Sequence, residues 1–287
     1  MNVDSVAREA AAAASLAAAR AGVEVRMLTT LEEFQCCEGL FDRIWRPTDN
    51  RPVITRELLR ALAGAHGYVS GLFKDGRLGG ACVGFWGPPG SGILHSHITG
   101  VDPAARGRDL GLVLKLHQRA TALAGGVTTI TWTYDPLVAR NAYFNLRKLG
   151  ARPTRYLVDY YGSMSDEINA DDPTDRLLVA WALDSPRVLQ TTGDAPPSTD
   201  SKASPVAWLA PDADARPVRS SSAAAVVGIA VPPDVERLRI EEPALAAEWR
   251  VAVRHAMTEL LDEGARIVDF ERAESRYVVT RRRSDED

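Results

Sequence analysis

The sequence predicts a mixed α/β protein, and three observations carry that prediction. Short alternating or β-branched runs recur at 23–28, 68–73, 80–86, 93–101 and 128–134, as expected of strands. Between them, Leu110, Val113, Leu114 and His117 fall at i, i+3, i+4 and i+7, one face of a helix. Asp75-Gly76 and Gly87-Pro88-Pro89-Gly90 supply turn chemistry between runs. With 287 residues, 45% hydrophobic, 25% charged and 7% aromatic, the chain has ample apolar surface for one large or two modest domains, and disordered, collagenous and membrane classes are excluded.

In order, the Ala-rich 1–22 reads as a loose leader helix, and its Arg8, Glu9 and Arg20 break any secretory apolar core. Residues 23–28 form a strand. Thr30 with Glu33 makes a capping box opening a helix to about Trp45. A second helix covers Thr55 to Ala63, followed by strands 68–73, 80–86 and 93–101. The helix from Leu110 ends at Gly125-Gly126, and strand 128–134 comes next. Ala139, Ala142, Tyr143 and Leu146 are again at helical spacing, with Gly150 just past the end. Strands at Tyr156–Tyr161 and Leu177–Leu183 complete a unit spanning 23–185.

Five prolines among Ser, Asp and Ala between Thr191 and Ser222 mark 186–222 as a linker or surface excursion. Residues 223–287 form a small α/β lobe: apolar Ala223–Val231, a helix over Pro243–Glu263, and strands Arg266–Phe270 and Arg276–Thr280. With a single helix it buries little surface alone. It therefore docks on the preceding unit or on a second chain, as in a homodimer.

Thirty-four Lys and Arg against 38 Asp and Glu give a net charge of −4, which disfavours wrapping nucleic acid. No run is long and apolar enough to predict a membrane span. Cys36, Cys37 and Cys82 lack disulfide pairing and metal-ligand spacing, so no metal is expected, a reducing cytoplasm fits, and the thiols read as packing groups.

The window most informative about chemistry is Val101-Asp102-Pro103-Ala104-Ala105-Arg106-Gly107-Arg108-Asp109-Leu110-Gly111, between a strand and an amphipathic helix. Glycine lets backbone approach a ligand, and the amides of a first helical turn attract an anion. Arg106 and Arg108 add charge-assisted donors. An ordinary polar turn with Asp109 as N-cap is the alternative.

This window resembles motif A of the GNAT (GCN5-related) N-acetyltransferase superfamily, Val-x-Pro-x-x-Arg-Gly-x-Gly-x-Gly, which binds the pyrophosphate of acyl-CoA. The element order from Val23 to Leu183 agrees, and Asn141 through Leu149-Gly150-Ala151 is similar to the following motif. The resemblance implies a GNAT mixed sheet flanked by helices. Acyl-CoA, as acetyl-CoA or succinyl-CoA, would be held by Ile98, Thr99, Val101, Arg106, Gly107, Arg108, Asp109, Leu110, Gly111 and Asn141. Amides near Ile98 and Thr99 would polarise the thioester carbonyl, in the splay between the strands ending at Val101 and Tyr134. Ser96 through Val101, Trp132 through Leu137, Arg140 through Tyr143 and Pro173 through Leu178 resemble a bacterial subfamily, some members of which are read as amino-acid N-succinyltransferases.

Two positions depart from the superfamily pattern. Asp109 replaces the middle glycine, and Leu146 stands where a tyrosine often protonates the leaving thiolate. Tyr143, one turn earlier, is the substitute candidate, or else a core aromatic. His95 and His97 are candidate bases: with Thr99 and Val101 they alternate onto one strand face, and an imidazole near pKa 6.5 suits neutral-pH proton abstraction. Asp135, at a strand end before Pro136, either holds or deprotonates a substrate ammonium or caps the next helix. Arg140 and Arg176 are candidates to grip a substrate carboxylate.

The reading is a CoA-dependent N-acyltransferase that moves an acetyl or succinyl-type group to the amine of a small molecule, an amino acid or related metabolite. The alternatives are an antibiotic-modifying or biosynthetic acetyltransferase, an acyl-CoA decarboxylase on the same fold, and a non-catalytic CoA-binding module.

Overall fold

The structure, a computed structural model, describes residues 3–48, 51–105, 109–162, 172–192 and 204–281. Along the chain run α1 (Val3–Ala21), β1 (Glu24–Met27), α2 (Leu31–Trp45), α3 (Arg56–Gly64), β2 (Tyr68–Lys74), β3 (Arg77–Trp86), β4 (Ile93–Val101), α4 (Leu110–Ala124) and β5 (Thr129–Tyr134). Then come α5 (Ala139–Tyr143), β6 (Arg152–Leu157), β7 (Arg176–Ala182), α6 (Pro186–Thr192), β8 (Val206–Pro211), β9 (Pro217–Arg219), β10 (Val226–Ala230), α7 (Val235–Glu241), α8 (Pro243–Asp262), β11 (Arg266–Glu271) and β12 (Arg276–Thr280). Two compact units result, one chiefly Met1–Trp132 with Trp181–Gly193, the other chiefly Thr133–Met164, Asn169–Ala180 and Asp194–Asp287.

In the first unit the strands stand in the order β1-β2-β3-β4-β5. The first four are antiparallel neighbours, and β5 joins β4 in parallel. One sheet face packs against α2 and α3 through Phe34, Cys37, Leu40, Phe41 and Leu59 over Val69, Ala81 and Val83. The capping box at Thr30 forms as the sequence indicates: Glu33 N donates to Thr30 Oγ1 at 3.2 Å, and Thr30 N donates to Glu33 Oε2 at 3.1 Å. The end of α2 lies against β4 at Gly100, where a Cβ would come within 2.7 Å of Ile44 and 2.9 Å of Trp45. A larger residue there would force the Ile44 and Trp45 side chains to shift.

The N-terminal helix is not a loose leader. Its Val6, Ala10 and Ala14 form an i, i+4, i+8 stripe of small buried residues, and α1 packs on α4. Small side chains allow that close approach. With α1 covering it, α4 is buried well beyond the single stripe the spacing predicts, including Lys115, Gln118 and Arg119.

In the second unit, β6 pairs antiparallel with β7, and a separate five-stranded sheet has the order β11-β12-β10-β8-β9. The supposed linker therefore contributes two strands. Its prolines do not forbid this, because Pro211 and Pro217 sit at the ends of β8 and β9, where a missing amide is tolerated. The strand expected at Tyr156–Tyr161 lies earlier, at Arg152–Leu157. Asp159 turns the chain with φ 43°, and Asp159 N donates to Asp175 Oδ1 at 3.0 Å, so turn chemistry overrides the β-propensity of the tyrosines. After α5 the helix continues as a π-turn over Phe144–Lys148, and Gly150 takes φ 73°. Helix α8 and strands β10, β11 and β12 lie where the sequence places them. No helix among the described residues is long and apolar enough to cross a membrane.

Candidate functional site

The chemistry in the first unit centres on an irregularity in β4. Its pairing with β3 runs Cys82↔Thr99 and Val83↔Ile98, then Gly84↔Ser96 and Phe85↔His95. His97 is the extra residue of a β-bulge. A bulge leaves that residue outside the ladder and shifts the rest of the strand by one position. The simple alternation of His95, His97, Thr99 and Val101 onto one face is therefore corrected. Thr99, opposite Cys82, faces α4, with Thr99 Oγ1 3.0 Å from Cys82 Sγ, whereas His95 lies opposite Phe85 on the other face.

The two histidines remain together. The Phe85 ring is centred 5.2 Å from that of His95 and 5.9 Å from that of His97, and His95 Nδ1 is 3.2 Å from Thr131 Oγ1. Burial pushes the pKa of His95 below its ordinary value, and the charges of His97 and Lys115 push it further. Burial lowers His97 as well, although the residue as a whole is exposed. Both shifts favour the neutral ring, the form a base requires.

Strand β4 pairs with β5 only through Ile93↔Thr129, Leu94↔Ile130 and His95↔Thr131. From Ser96 to Val101, β4 has no ladder partner on that side among the described residues. Val101 then leads toward α4; the first amides of a helix have no intrahelical acceptor, and here the ladder begins with Leu112 N donating to Asp109 O at 2.8 Å. Leu110 and Gly111 open that helix. Asp109 is its N-cap in the left-handed region, φ 52°, and its side chain makes no capping hydrogen bond. The expected carboxylate cap is thus absent; a residue stands in glycine's conformation where the motif has glycine. Arg106, Gly107 and Arg108, the core of the expected pyrophosphate cradle, lie outside the described residues. A 15-residue helix opening beside a bulged, half-unpaired strand fits an acyl-CoA phosphate group and thioester.

Sequence reasoning passes over Lys115. It sits in the apolar run Leu112-Val113-Leu114-Lys115-Leu116, and a lone lysine inside such a run is the available signal. Its Nζ donates to Ser96 Oγ at 2.7 Å and to Gln118 Oε1 at 3.0 Å and lies 4.2 Å from the Trp132 ring centre. Burial lowers its pKa to about 8.

Asp135, Arg140, Asn141, Tyr143 and Arg176 belong to the second unit, so they are described apart from the histidines. Asp135 is buried, and Arg250 donates to both its oxygens at 2.8 Å while Arg239 donates to Oδ2 at 2.6 Å. Leu137 N donates to Oδ1 at 2.9 Å, the local capping arrangement that is its alternative role. Burial would raise its pKa, but the two guanidinium groups outweigh that and hold the carboxyl well below the usual carboxylate range. A carboxylate so satisfied is a poor base and a poor ammonium site. Asp172 shares both arginines, at 2.8 Å and 2.7 Å, and Arg254 pairs with Asp175 at 2.8 Å. Long-range pairs of this kind leave no periodic trace in a sequence.

Arg140 pairs with Glu236, with Nη2 to Oε1 at 2.6 Å, so it is no free grip for a substrate. Arg176 is buried, donates to the Asp175 carbonyl at 3.0 Å, and lies 5.4 Å from the Tyr161 ring centre. Tyr143 has the Arg272 guanidinium 5.4 Å from its ring centre. Asn141 donates its backbone N–H to Val138 O at 2.9 Å. Leu146 is fully buried.

The cysteines are free; Cys37 and Cys82 are buried, and burial pushes the Cys37 thiol up to about 12, an inert packing group, whereas Cys36 is exposed and corrects the expectation that all three pack.

The model of an acetyltransferase (GNAT) domain matches residues 5–144. The chain is similar to the ribosomal-protein-S18-alanine N-acetyltransferase of Escherichia coli, at 14% identity and TM-score 0.45, over 57% of this chain and 95% of that one. It is similar to an N-acetyltransferase of Staphylococcus aureus Mu50 at 16% identity and TM-score 0.45, over 56% and 98%. It is also similar to yncA of Salmonella typhimurium, solved with acetyl-CoA, at 15% identity and TM-score 0.45, over 57% and 95%. No curated protein matches the chain. The match over residues 5–144 covers most of α1 and the bulged strand together with the helix after it, and by it this stretch of the chain is an acetyltransferase (GNAT) domain, the domain of an enzyme.

Proposed function

We propose that the protein moves an acetyl or succinyl-type acyl group from acyl-CoA to the amine of a small molecule, an amino acid or related metabolite. The observation that carries this reading is the pair of imidazoles at the bulge of β4, packed beside Phe85 where pairing with β5 ends. Acyl-CoA supplies an acyl group already activated as a thioester. Residues of the chain do the rest. The opening turn of α4, with Arg106 and Arg108, neutralises phosphate charge. Amides of Ile98 and Thr99, just past the bulge, donate to the carbonyl oxygen as it gains charge.

His97, exposed at the bulge, takes the proton from the acceptor ammonium, with His95 beside it as the alternative base. Base catalysis of this sort contributes about 10²- to 10⁴-fold. Tyr143 is the candidate donor to the leaving sulfur. Arg140 is engaged by Glu236 and Arg176 is buried and donates to the Asp175 carbonyl, so neither arginine is assigned to an acceptor carboxylate. The amino-acid acceptor and the succinyl option rest on the subfamily resemblance.

The test is release of free thiol from acetyl-CoA and succinyl-CoA across a panel of amino acids, aminoglycosides and peptide amines. Release that requires both an acyl-CoA and an amine supports transfer. Release without any amine would sink it, as would tight acyl-CoA binding with no release under any combination.

A further inference from the structure

We infer that Lys115 is a positioning residue for the proposed reaction: from the α4 face of the sheet, its buried ammonium ties down Ser96 at the bulge and sets a positive charge across the strand from His95.

A lysine 4% exposed with no carboxylate among its described hydrogen-bond partners is costly to keep, because burying a cation is repaid only by good partners. Here the partners are Ser96 Oγ, Gln118 Oε1 and the Trp132 ring. Two of these three bracket the functional strand. Ser96 directly precedes the bulged His97, and Trp132 comes after Thr131, the last β5 residue to pair with β4.

The strand is prepared for this visitor. Gly84 lies opposite Ser96, and a Cβ there would come within 2.8 Å of His95 O and 3.3 Å of Gln118 Nε2. The missing side chain at Gly84 lets the helix's polar groups reach the sheet. Past the bulge, Cys82 Sγ meets Thr99 Oγ1 at 3.0 Å and Ser96 Oγ at 3.8 Å, so polar contacts hold β4 on both sides of His97. A nonpolar side chain at 115 would fill the space without fixing the bulge.

The charge works across the strand. His95 faces Phe85 of β3, Thr131 of β5 and His97 of its own strand, and Lys115 on α4 is the cation that acts on it. Titratable groups on the α4 face are Cys82, Tyr68 and His117, the last two joined by a 2.8 Å hydrogen bond. A fixed positive charge disfavours a protonated imidazole, which keeps a proton acceptor ready at neutral pH.

The role rests on the acyltransfer reading, so the deciding measurement does not depend on turnover. The two imidazoles are titrated by NMR in the full-length wild type, Lys115→Met, Lys115→Arg and Ser96→Ala, each checked for native circular dichroism. Lys115→Met should raise the His95 midpoint, and Lys115→Arg should restore it. With an active acceptor pair, Lys115→Met should lower kcat about 10-fold at unchanged KM for acyl-CoA, and Ser96→Ala should lower kcat with the His95 midpoint little moved. An identical His95 midpoint in folded wild type and folded Lys115→Met overturns the proposal. Should the imidazole shift appear in a protein that acylates no amine, the acyltransfer reading fails and the electrostatic link stands.

Discussion

Arg250 of α8 donates to both carboxylate oxygens of Asp135, Nη1 to Oδ1 and Nη2 to Oδ2, each at 2.8 Å. Both side chains are buried, and Arg239 and Asp172 close the cluster. The fork geometry decides what replacement does. Arg250→Met leaves Asp135 and Asp172 short of a cation inside the second unit and should cost about 3–5 kcal/mol of stability. Arg250→Lys keeps the charge without the bidentate grip and should recover only part of it. Chemical denaturation midpoints check both; equal midpoints for wild type and Arg250→Met would show the cluster to be without energetic weight.

The same carboxyl makes a pH statement. Its folded pKa is depressed, so its stabilising contribution is present above the unfolded value near 3.9 and is lost as pH falls below it. Wild type should lose stability on acidification through that range. Asp135→Asn should be less stable at pH 7 and show a shallower acid slope, readable from denaturation midpoints at pH 3 to 7.

Asp109 occupies φ 52° without a capping hydrogen bond from its side chain. Asp109→Gly relieves the left-handed strain while loosening the unfolded chain, so the two effects nearly cancel and the melting temperature should change little. Acyl-CoA affinity, read by calorimetry, should rise because a carboxylate leaves the anion site. Asp109→Ala retains a Cβ in the strained region and should lower the melting temperature. Weaker acyl-CoA binding by Asp109→Gly would mean the carboxylate serves the site.

A general base must be unprotonated to act, and burial lowers both His95 and His97 from their ordinary value. The acid limb of kcat/KM should therefore fall below pH 6.5, with the rate still level at pH 7. His97→Ala should reduce kcat about 100-fold or more, with acyl-CoA affinity nearly unchanged. Near-normal turnover in that variant would pass the role to His95 or to water.

Lys115 carries a stability signature of its own. Its folded pKa, about 8, lies below the ordinary 10.5, so between those values the unfolded chain binds more protons and stability rises with pH. Relative to Lys115→Met, the wild type should gain about 3 kcal/mol from pH 8 to pH 10.5. Parallel pH dependence in the two proteins would contradict an ammonium buried as described.

Much of the fold is legible because its elements are local. Thr30 and Glu33 mark the start of α2, Gly125 and Gly126 the end of α4, and both motifs sit on elements that spacing alone identifies. The features that escape are set by partners distant in sequence. The strand between Val206 and Pro211 reads as linker until β10 is beside it. The α1 helix reads as loose until α4 is beneath it. At the site, the histidines stand out by residue type, whereas the bulge that separates Thr99 from them cannot be seen in an alternating pattern. Asp135 looks like a substrate ligand because Arg239 and Arg250 lie more than a hundred residues away.

A mass balance on acyl transfer decides the function. The protein is incubated with isotopically labelled acetyl-CoA or succinyl-CoA and a mixture of amino acids, and free CoA and N-acyl product are quantified together by mass spectrometry. Labelled N-acyl amino acid is expected in equal amount to the CoA released, with loss of both in Gly111→Glu, whose added bulk and negative charge occupy the opening turn of α4. CoA released without any N-acyl product, or product formation undiminished in Gly111→Glu, would contradict amine acylation at this site.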